Sequence, residues 1–271
     1  MCAKPVDTAA KSLPEGGKAR RVYLQLLDGI TRGTYPDGAA LPAEQRLCVE
    51  LGVSRVTLRR ALDALEAEGL IDRRAGAGTR VRTPQQKPKM SADFSTLMPQ
   101  LVQMGHETTA RLLSFSYGVP PAAVANAMRI SPTALVQTAT RLRLIDGQPF
   151  SHLTTYVPEH IARNYSESEL ATSPLFRLLE RSGVEVETAD QSVSATLAGP
   201  EVAGHLGLSV GAPLLTLNRV VRDAEGRGVE YLAALYRPDM FKLQMTLSRV
   251  GAGDARHWEP VVNPTRAEAA E

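Results

Sequence analysis

The sequence predicts an α+β protein in two parts: a small N-terminal helical unit closed by a hairpin, and a larger C-terminal unit built on an antiparallel sheet. Three observations carry that prediction. Leu41 to Val81 holds two amphipathic helices, a tight glycine turn between them and a basic, glycine-rich hairpin. A polar stretch, Thr83-Pro84-Gln85-Gln86-Lys87-Pro88-Lys89, then separates that region from the rest. Beyond it, a helix–strand–turn–strand pattern occurs twice.

The elements follow in order. Val22, Leu26 and Ile30 form a helical stripe that ends at the turn Tyr35-Pro36-Asp37-Gly38. In the next helix Leu47, Cys48 and Leu51 face inward, Pro42 suits the first turn, and Glu44 sets negative charge at the positive end of the helix dipole. Gly52 allows a sharp exit. Ser54 is a good N-cap for a third helix, in which Leu58, Ala61, Leu62 and Leu65 form the buried stripe. Arg55, Arg59 and Arg60 are left outside, the first two on one side because they are four apart. Gly69 stops this helix. Leu70 to Arg74 and Thr79 to Arg82 then read as two strands around the tip Ala75-Gly76-Ala77-Gly78, with Arg73, Arg74, Arg80 and Arg82 available for phosphate. In this order and spacing the parts outline a winged helix-turn-helix, which makes double-stranded DNA the first partner to expect.

At these residues the chain resembles the GntR family of bacterial transcription regulators, over the first eighty or so positions. The resemblance implies DNA contacts from Arg55, Thr57 and Arg59 on the recognition helix and from Gly76 and its neighbours in the wing. With the charges and caps read above, the expected contact set is Arg46, Ser54, Arg55, Thr57, Arg59, Arg60, Arg73, Arg74, Gly76, Gly78 and Arg80. One position departs from the family pattern. Gln45, followed by Arg46, stands where members commonly carry arginine, so the phosphate contact expected there is lost, weakened or taken over by Arg46.

Composition agrees with this division. Residues 1–83 carry 14 Lys+Arg against 10 Asp+Glu, whereas residues 84–249 carry 15 of each, so the positive excess sits where DNA is expected. No apolar run is long enough to span a bilayer, and the start lacks a signal-peptide core, which predicts a cytoplasmic protein. Cys2 and Cys48 are too few for a disulfide framework or a zinc site, and Cys48 reads as a small core residue. The expected domains are a disordered N-terminus at 1–17, the winged helix-turn-helix at 18–83, a linker at 84–91, the second domain at 92–249 and a flexible tail at 250–271. Trp258 is the lone aromatic of that tail.

The repeat in the second domain aligns Val124-Ala125, Ile130-Ser131, Ala134 and Arg141 with Val202-Ala203, Leu208-Ser209, Ala212 and Arg219. A hairpin turn follows each arginine, Asp146-Gly147 first and Asp223-Ala224-Glu225-Gly226 second. Each return strand ends in an aromatic just before a proline, Tyr156-Val157-Pro158 and Tyr236-Arg237-Pro238. A helical segment from Pro174 to Ser182 joins the two units.

Residues 92–249 resemble the UTRA ligand-sensing domain of the HutC subfamily, through Asp93-Phe94-Ser95, Arg141-Leu142-Arg143, Asp146-Gly147-Gln148-Pro149-Phe150, Thr155-Tyr156-Val157-Pro158 and Val229-Glu230-Tyr231. The resemblance implies a chorismate-lyase-like fold and an effector pocket at Ser95, Thr96, Arg141, Arg143, Thr155, Tyr156, Glu230 and Tyr236, with hydroxyls and the arginine pair on an anion. Independently, Arg141 and Arg143 are two apart on a strand and so share a face, where two guanidinium forks can grip a phosphate or carboxylate. An internal ion pair, for instance with Glu230, is the alternative at this point.

The expected function is a homodimeric transcription regulator, most simply a repressor, on a near-palindromic operator and controlled by a small anionic effector such as a phosphorylated sugar. No cofactor or metal is expected. Two alternatives stay open: an enzyme of chorismate-lyase-like fold fused to a DNA-binding head, and a ligand-independent DNA-binding maintenance protein. Against an enzyme, His106, His152, His160, His205 and His257 are scattered, and there is no nucleophile pattern or acid/base pair.

Overall fold

The computed structural model describes residues 14, 16–74, 78–82, 90–93, 108–252 and 255–261, with the backbone alone at 91–93. The chain divides into two compact units, residues 1–86 with 198–212, and residues 87–197 with 213–271. Expectations for residues 1–13, for the linker at 83–89 and for Gly76, Ser95 and Thr96 lie outside the described residues. Among the described residues no helix is long and apolar enough to cross a membrane.

The head begins with α1 (Gly17–Thr31), α2 (Glu44–Leu51) and α3 (Arg55–Ala67) and ends in a wing of β1 (Ile71–Arg74) and β2 (Gly78–Val81). Val22, Leu26 and Ile30 of α1 turn inward as their spacing requires, and meet Leu47 of α2 and Leu58 and Leu62 of α3. Burying one leucine is worth about 1.5–3 kcal/mol, so this shared stripe rather than helix propensity holds three short helices together. Gly52 closes α2 at φ 61°, a left-handed conformation that a β-carbon would strain. Pro42 lies before α2 rather than in its first turn, because Ala43 is the N-cap.

The C-terminal unit carries a six-stranded antiparallel sheet. Its first half is β4 (Thr109–Gly118), α4 (Ala122–Met128), β5 (Val136–Ile145) and β6 (Gln148–Pro158). Three short helices follow, α5 (Glu159–Ala162), α6 (Glu167–Thr172) and α7 (Leu175–Arg181). The second half is β7 (Thr188–Leu197), β8 (Pro213–Arg222) and β9 (Gly228–Tyr236); α8 (Pro200–Leu206), between β7 and β8 in sequence, falls in the segment 198–212 grouped with the first unit. The strand order β4-β5-β6-β9-β8-β7 reads the same from either edge, one repeat per half.

The sequence repeat is therefore a structural duplication, with one more strand at the front of each copy than the sequence pattern revealed. Both copies share local detail. Each short helix ends in a left-handed residue, Arg129 at φ 56° and Gly207 at φ 64°, and the next backbone N–H returns to the helix, Ile130 to Ala125 O and Leu208 to Ala203 O. Asp146 and Gly147 both have positive φ, which suits a two-residue turn to the strand twist.

Two expectations at the ends of this unit are corrected. β3 (Met90–Asp93) pairs in parallel with β10 (Phe241–Gln244), and Met90 is buried, so the last two residues of the stretch read as linker belong to a strand. β11 (Leu247–Val250) and β12 (His257–Pro260) form an antiparallel hairpin, with Arg249 opposite Trp258, where a flexible tail was expected. Strands of four residues that bury neither face leave no alternation to read.

Candidate DNA-binding surface and effector pocket

At the start of α3 the Ser54 hydroxyl accepts the Thr57 N–H at 3.2 Å and lies 2.9 Å from the Thr57 hydroxyl, which fixes the helix entry. Arg55 and Arg60 are exposed and form no ion pair with the described residues. Arg59 reaches back to Glu44 at 3.1 Å while staying 63% exposed, and Arg46 pairs with Glu50 on its own helix at 2.6 Å. Exposed pairs of this kind are weak, so both arginines can be redirected to a phosphate or a base edge.

The wing separates its arginines by register. Ile71 pairs with Val81 and Arg73 with Thr79, so Arg73 shares the face that is buried; Asp72–Arg80 and Arg74–Gly78 define the other. Arg73 is accordingly engaged with Asp63, with Glu44 at 3.4 Å and with Glu66 at 3.6 Å. It clamps the wing to α3 and does not join the exposed set in which sequence reading had placed it. Arg74, 76% exposed beside Asp72, and Arg80, which donates to Gly38 O at 3.0 Å, stand on the outer face. Gly78, at φ 80°, opens β2 beside them.

In the C-terminal unit the strand register brings most of the expected pocket residues to one face. Across β5, β6, β9 and β8 run the rows Arg143–Ser151–Tyr236–Leu215 and Arg141–Leu153–Ala234–Leu217, followed by Ala139–Thr155–Leu232–Arg219. Glu230 stands two residues before Leu232 on the same side. A small cavity of about 80 Å³ opens over these rows, lined by the three arginines, Glu230, Tyr236, Leu153 and Leu232, with Pro174, Leu175 and Phe176 at the start of α7 as its apolar cover.

Tyr156 is not among them. One residue on from Thr155, it faces the other side of the sheet, edge to face with Tyr231 at 6.0 Å, in the cluster beneath α4. Thr155 is fully buried, donates to Ala139 O at 3.5 Å and does not line the cavity.

Burial sets the electrostatics. The Arg141 side chain donates only a long bond, Nη1 to Leu170 O at 3.5 Å, and its Nε has no partner. Burial, and then the neighbouring Arg143, lower its guanidinium to about 10, with Glu230 and Tyr165 acting against them. Burial also lowers Arg143 and Arg219, and it raises the Glu230 carboxyl against the pull of Arg219 and Arg141. Arg143 Nε donates to the Thr108 hydroxyl at 2.8 Å, and Tyr236 stacks on Phe241 at 4.2 Å. The Ser151 hydroxyl, buried between Arg143 and Tyr236, has no partner. Buried polar atoms without partners are rare and costly, so this site is incompletely satisfied without a ligand. Two more open grooves, about 330 and 350 Å³, lie beside α5; there Arg227 already pairs with Asp223 at 2.8 Å.

Sequence reading missed Arg219, Ser151 and the apolar cover. The repeat held a signal for the first, because it aligns Arg219 with Arg141. Nothing local marks the other two. Among the described residues no group of His, Cys, Asp or Glu could hold a metal ion.

Comparison with known proteins agrees with both halves. Residues 18–81 match the family model described as bacterial regulatory proteins, gntR family, and residues 103–242 match the UTRA domain model. The HTH-type transcriptional regulator Rv0792c of Mycobacterium tuberculosis is 29% identical over 228 residues, covering 83% of each chain. The HTH-type transcriptional repressor NagR of Bacillus subtilis is 25% identical, over 85% of this chain and 94% of its own. The histidine utilization repressor of Pseudomonas putida is 26% identical, over 88% and 95% respectively. In fold, a putative GntR-family regulator of known structure matches with a TM-score of 0.56 at 21% identity, over 85% of this chain and 97% of that one. These relatives are regulators rather than enzymes, which removes the enzyme alternative. The chain belongs to the GntR family of bacterial transcription regulators, in the HutC subfamily that joins this DNA-binding head to a UTRA domain.

Proposed function

We propose that the protein is a cytoplasmic homodimeric repressor released from a near-palindromic operator by a small anionic metabolite, a phosphorylated sugar or a related acid. On the DNA side, Arg55, Thr57 and Arg59 meet base edges, and Ser54, Arg60, Arg46, Arg74, Gly78 and Arg80 meet the backbone. On the effector side, Arg141 and Arg143 hold the anion, Tyr236 closes one end, and Glu230 serves as the internal counter-charge when the site is empty.

The observation that carries this reading is Arg141, a fully buried guanidinium whose Nε has no partner and which lines a cavity beside Arg143. Burying a cation with incomplete hydrogen bonding costs several kcal/mol, only part of which Glu230 returns, and an anion offsets that cost through charge-assisted bonds. Release from DNA then follows if the anion favours a conformation in which two heads no longer match the half-site spacing. The test is a thermal-shift panel of phosphate esters and small organic acids on the full chain, because a ligand that binds only the folded state raises its apparent stability. Anions that raise the midpoint, and that release DNA at similar concentrations, support the proposal. A panel without effect refutes it.

A further inference from the structure

We infer that Val56 reads the 5-methyl group of a thymine in each operator half-site. This rests on α3 being the recognition helix and extends that reading by naming a base that the arginines do not specify.

The argument starts from helix geometry. Leu58, Ala61, Leu62 and Leu65 are buried and define the inner face of α3. At 3.6 residues per turn successive side chains lie about 100° apart, which puts Val56 about 170° from the middle of that face, with Arg59 and Arg60 within about 60° on either side. Val56 therefore points most directly outward in the first two turns, and it is 65% exposed. Its neighbours in sequence, Arg55 and Thr57, fall towards the two flanks, and the Thr57 hydroxyl is turned to Ser54 at 2.9 Å.

Charge decides which end of α3 meets DNA. The first six residues hold Arg55, Arg59 and Arg60 and no acid, whereas the last seven hold Asp63 and Glu66 and no base. Both acids meet Arg73 of the wing. A polyanion is attracted to the N-terminal turns, and Val56 stands at the centre of their outward face.

The fold gives no reason for a valine there. A β-branched residue forms helix less readily than the arginines beside it, and this one gains no burial in return. A partner does give a reason. The arginines are long enough to arch sideways to phosphates or to a guanine, but a short branched side chain meets only what lies directly beneath it, the floor of the major groove. The base edges there offer donors and acceptors, which valine cannot use, and one apolar group, the thymine methyl.

The experiment uses the full-length protein. Duplexes that wild type binds are selected from a random-sequence library, which defines the half-site. Each thymine is then replaced in turn by deoxyuridine, which removes one methyl and leaves every hydrogen-bonding group in place. Dissociation constants are measured at fixed salt for wild type, Val56→Ala and Val49→Ala, the last because Val49 is equally apolar and 79% exposed but belongs to α2. The expected result is one thymine position at which deoxyuridine weakens wild type by about fourfold for each half-site substituted. Val56→Ala binds the thymine operator more weakly and no longer distinguishes deoxyuridine at that position, while Val49→Ala distinguishes it as wild type does. Tolerance of deoxyuridine at every position by wild type, or a selected half-site without thymine, overturns the inference, and neither observation depends on a variant folding. Wild-type sensitivity retained in Val56→Ala, or lost equally in Val49→Ala, overturns the assignment to Val56. If no sequence is enriched, the recognition-helix reading itself fails, and the inference falls with it.

Discussion

The head and the sensing sheet use arginine in opposite ways. On α3 and the outer face of the wing, Arg55, Arg59, Arg60, Arg74 and Arg80 stand in water, unpaired or in weak pairs, and their charge costs the fold little. On the sheet, Arg141 and Arg219 are buried and Arg143 half-buried around a cavity, with their guanidiniums shifted by burial. An exposed arginine suits a polyanion that arrives from outside and is sensitive to salt. A buried one suits a single small anion that enters and completes it. Arg73, on a surface wing but turned to its inner face, shows that register and not neighbourhood decides which kind an arginine is.

Several measurements can break or sharpen that contrast. The largest effect is expected at the buried arginines: Arg141→Ala or Arg143→Ala should remove a charge-assisted interaction worth about 1.5–3 kcal/mol and weaken the effector response at least tenfold, with operator affinity in the absence of effector unchanged. Of the two, Arg141→Met should fold at least as stably as wild type, since it removes an under-satisfied buried charge. A clear loss of stability in urea would show that Arg141 is already paired. At the exposed end of the comparison, Arg55→Ala and Arg59→Ala should each cost about 1–3 kcal/mol of operator binding, read by titration at fixed salt.

A packing prediction of similar size tests the duplicated sheet. A β-carbon at Gly228 would come within 2.6 Å of the Met128 backbone, where α4 meets the start of β9. Gly228→Ala should therefore destabilise the C-terminal unit by about 1–3 kcal/mol, seen as a lower denaturation midpoint. Smaller effects separate the wing residues. Arg74→Ala and Arg80→Ala should weaken operator and random DNA together and lower the salt slope by about 1 each, whereas Arg73→Ala should lower the melting temperature of the head and leave the salt slope alone.

The smallest is a pH effect. At the start of α6 the Ser166 N–H, then Arg181 and the Ser166 hydroxyl, hold the Glu169 carboxyl down at about 2. A carboxylate lowered by folding contributes stability that is fully present above its unfolded value near 4.5 and is lost as pH falls towards 2. Glu169→Gln should flatten acid unfolding across that window and change little at pH 7.

Much of the head was legible in the sequence because its signals are local. Leu58, Ala61, Leu62 and Leu65 state a helix face by spacing alone, and Ser54 and Gly52 mark its entry and the preceding exit. The sheet was legible only through its duplication, and then incompletely. β4 and β7 lie at its two edges, where burial is partial and alternation weak, so neither announces a strand. The pocket followed the same rule. Arg141 and Arg143 are visible as a pair because they are two apart, but their meeting with Arg219 and the cover at Leu175 and Phe176 depends on strand order, which no local pattern encodes. Tyr156 went astray for a related reason: it is adjacent in sequence to Thr155, and strand alternation sends the two to opposite faces.

The central claim is that buried arginines sense an anion and exposed ones hold DNA. It is tested most directly by measuring operator release as a function of effector concentration for wild type and Arg143→Ala, using the anion that most stabilises the wild-type chain. The account predicts equal operator affinity without the anion and at least a tenfold higher anion concentration for release of the variant. Release of both proteins at the same concentration would contradict it and leave Arg143 a structural residue.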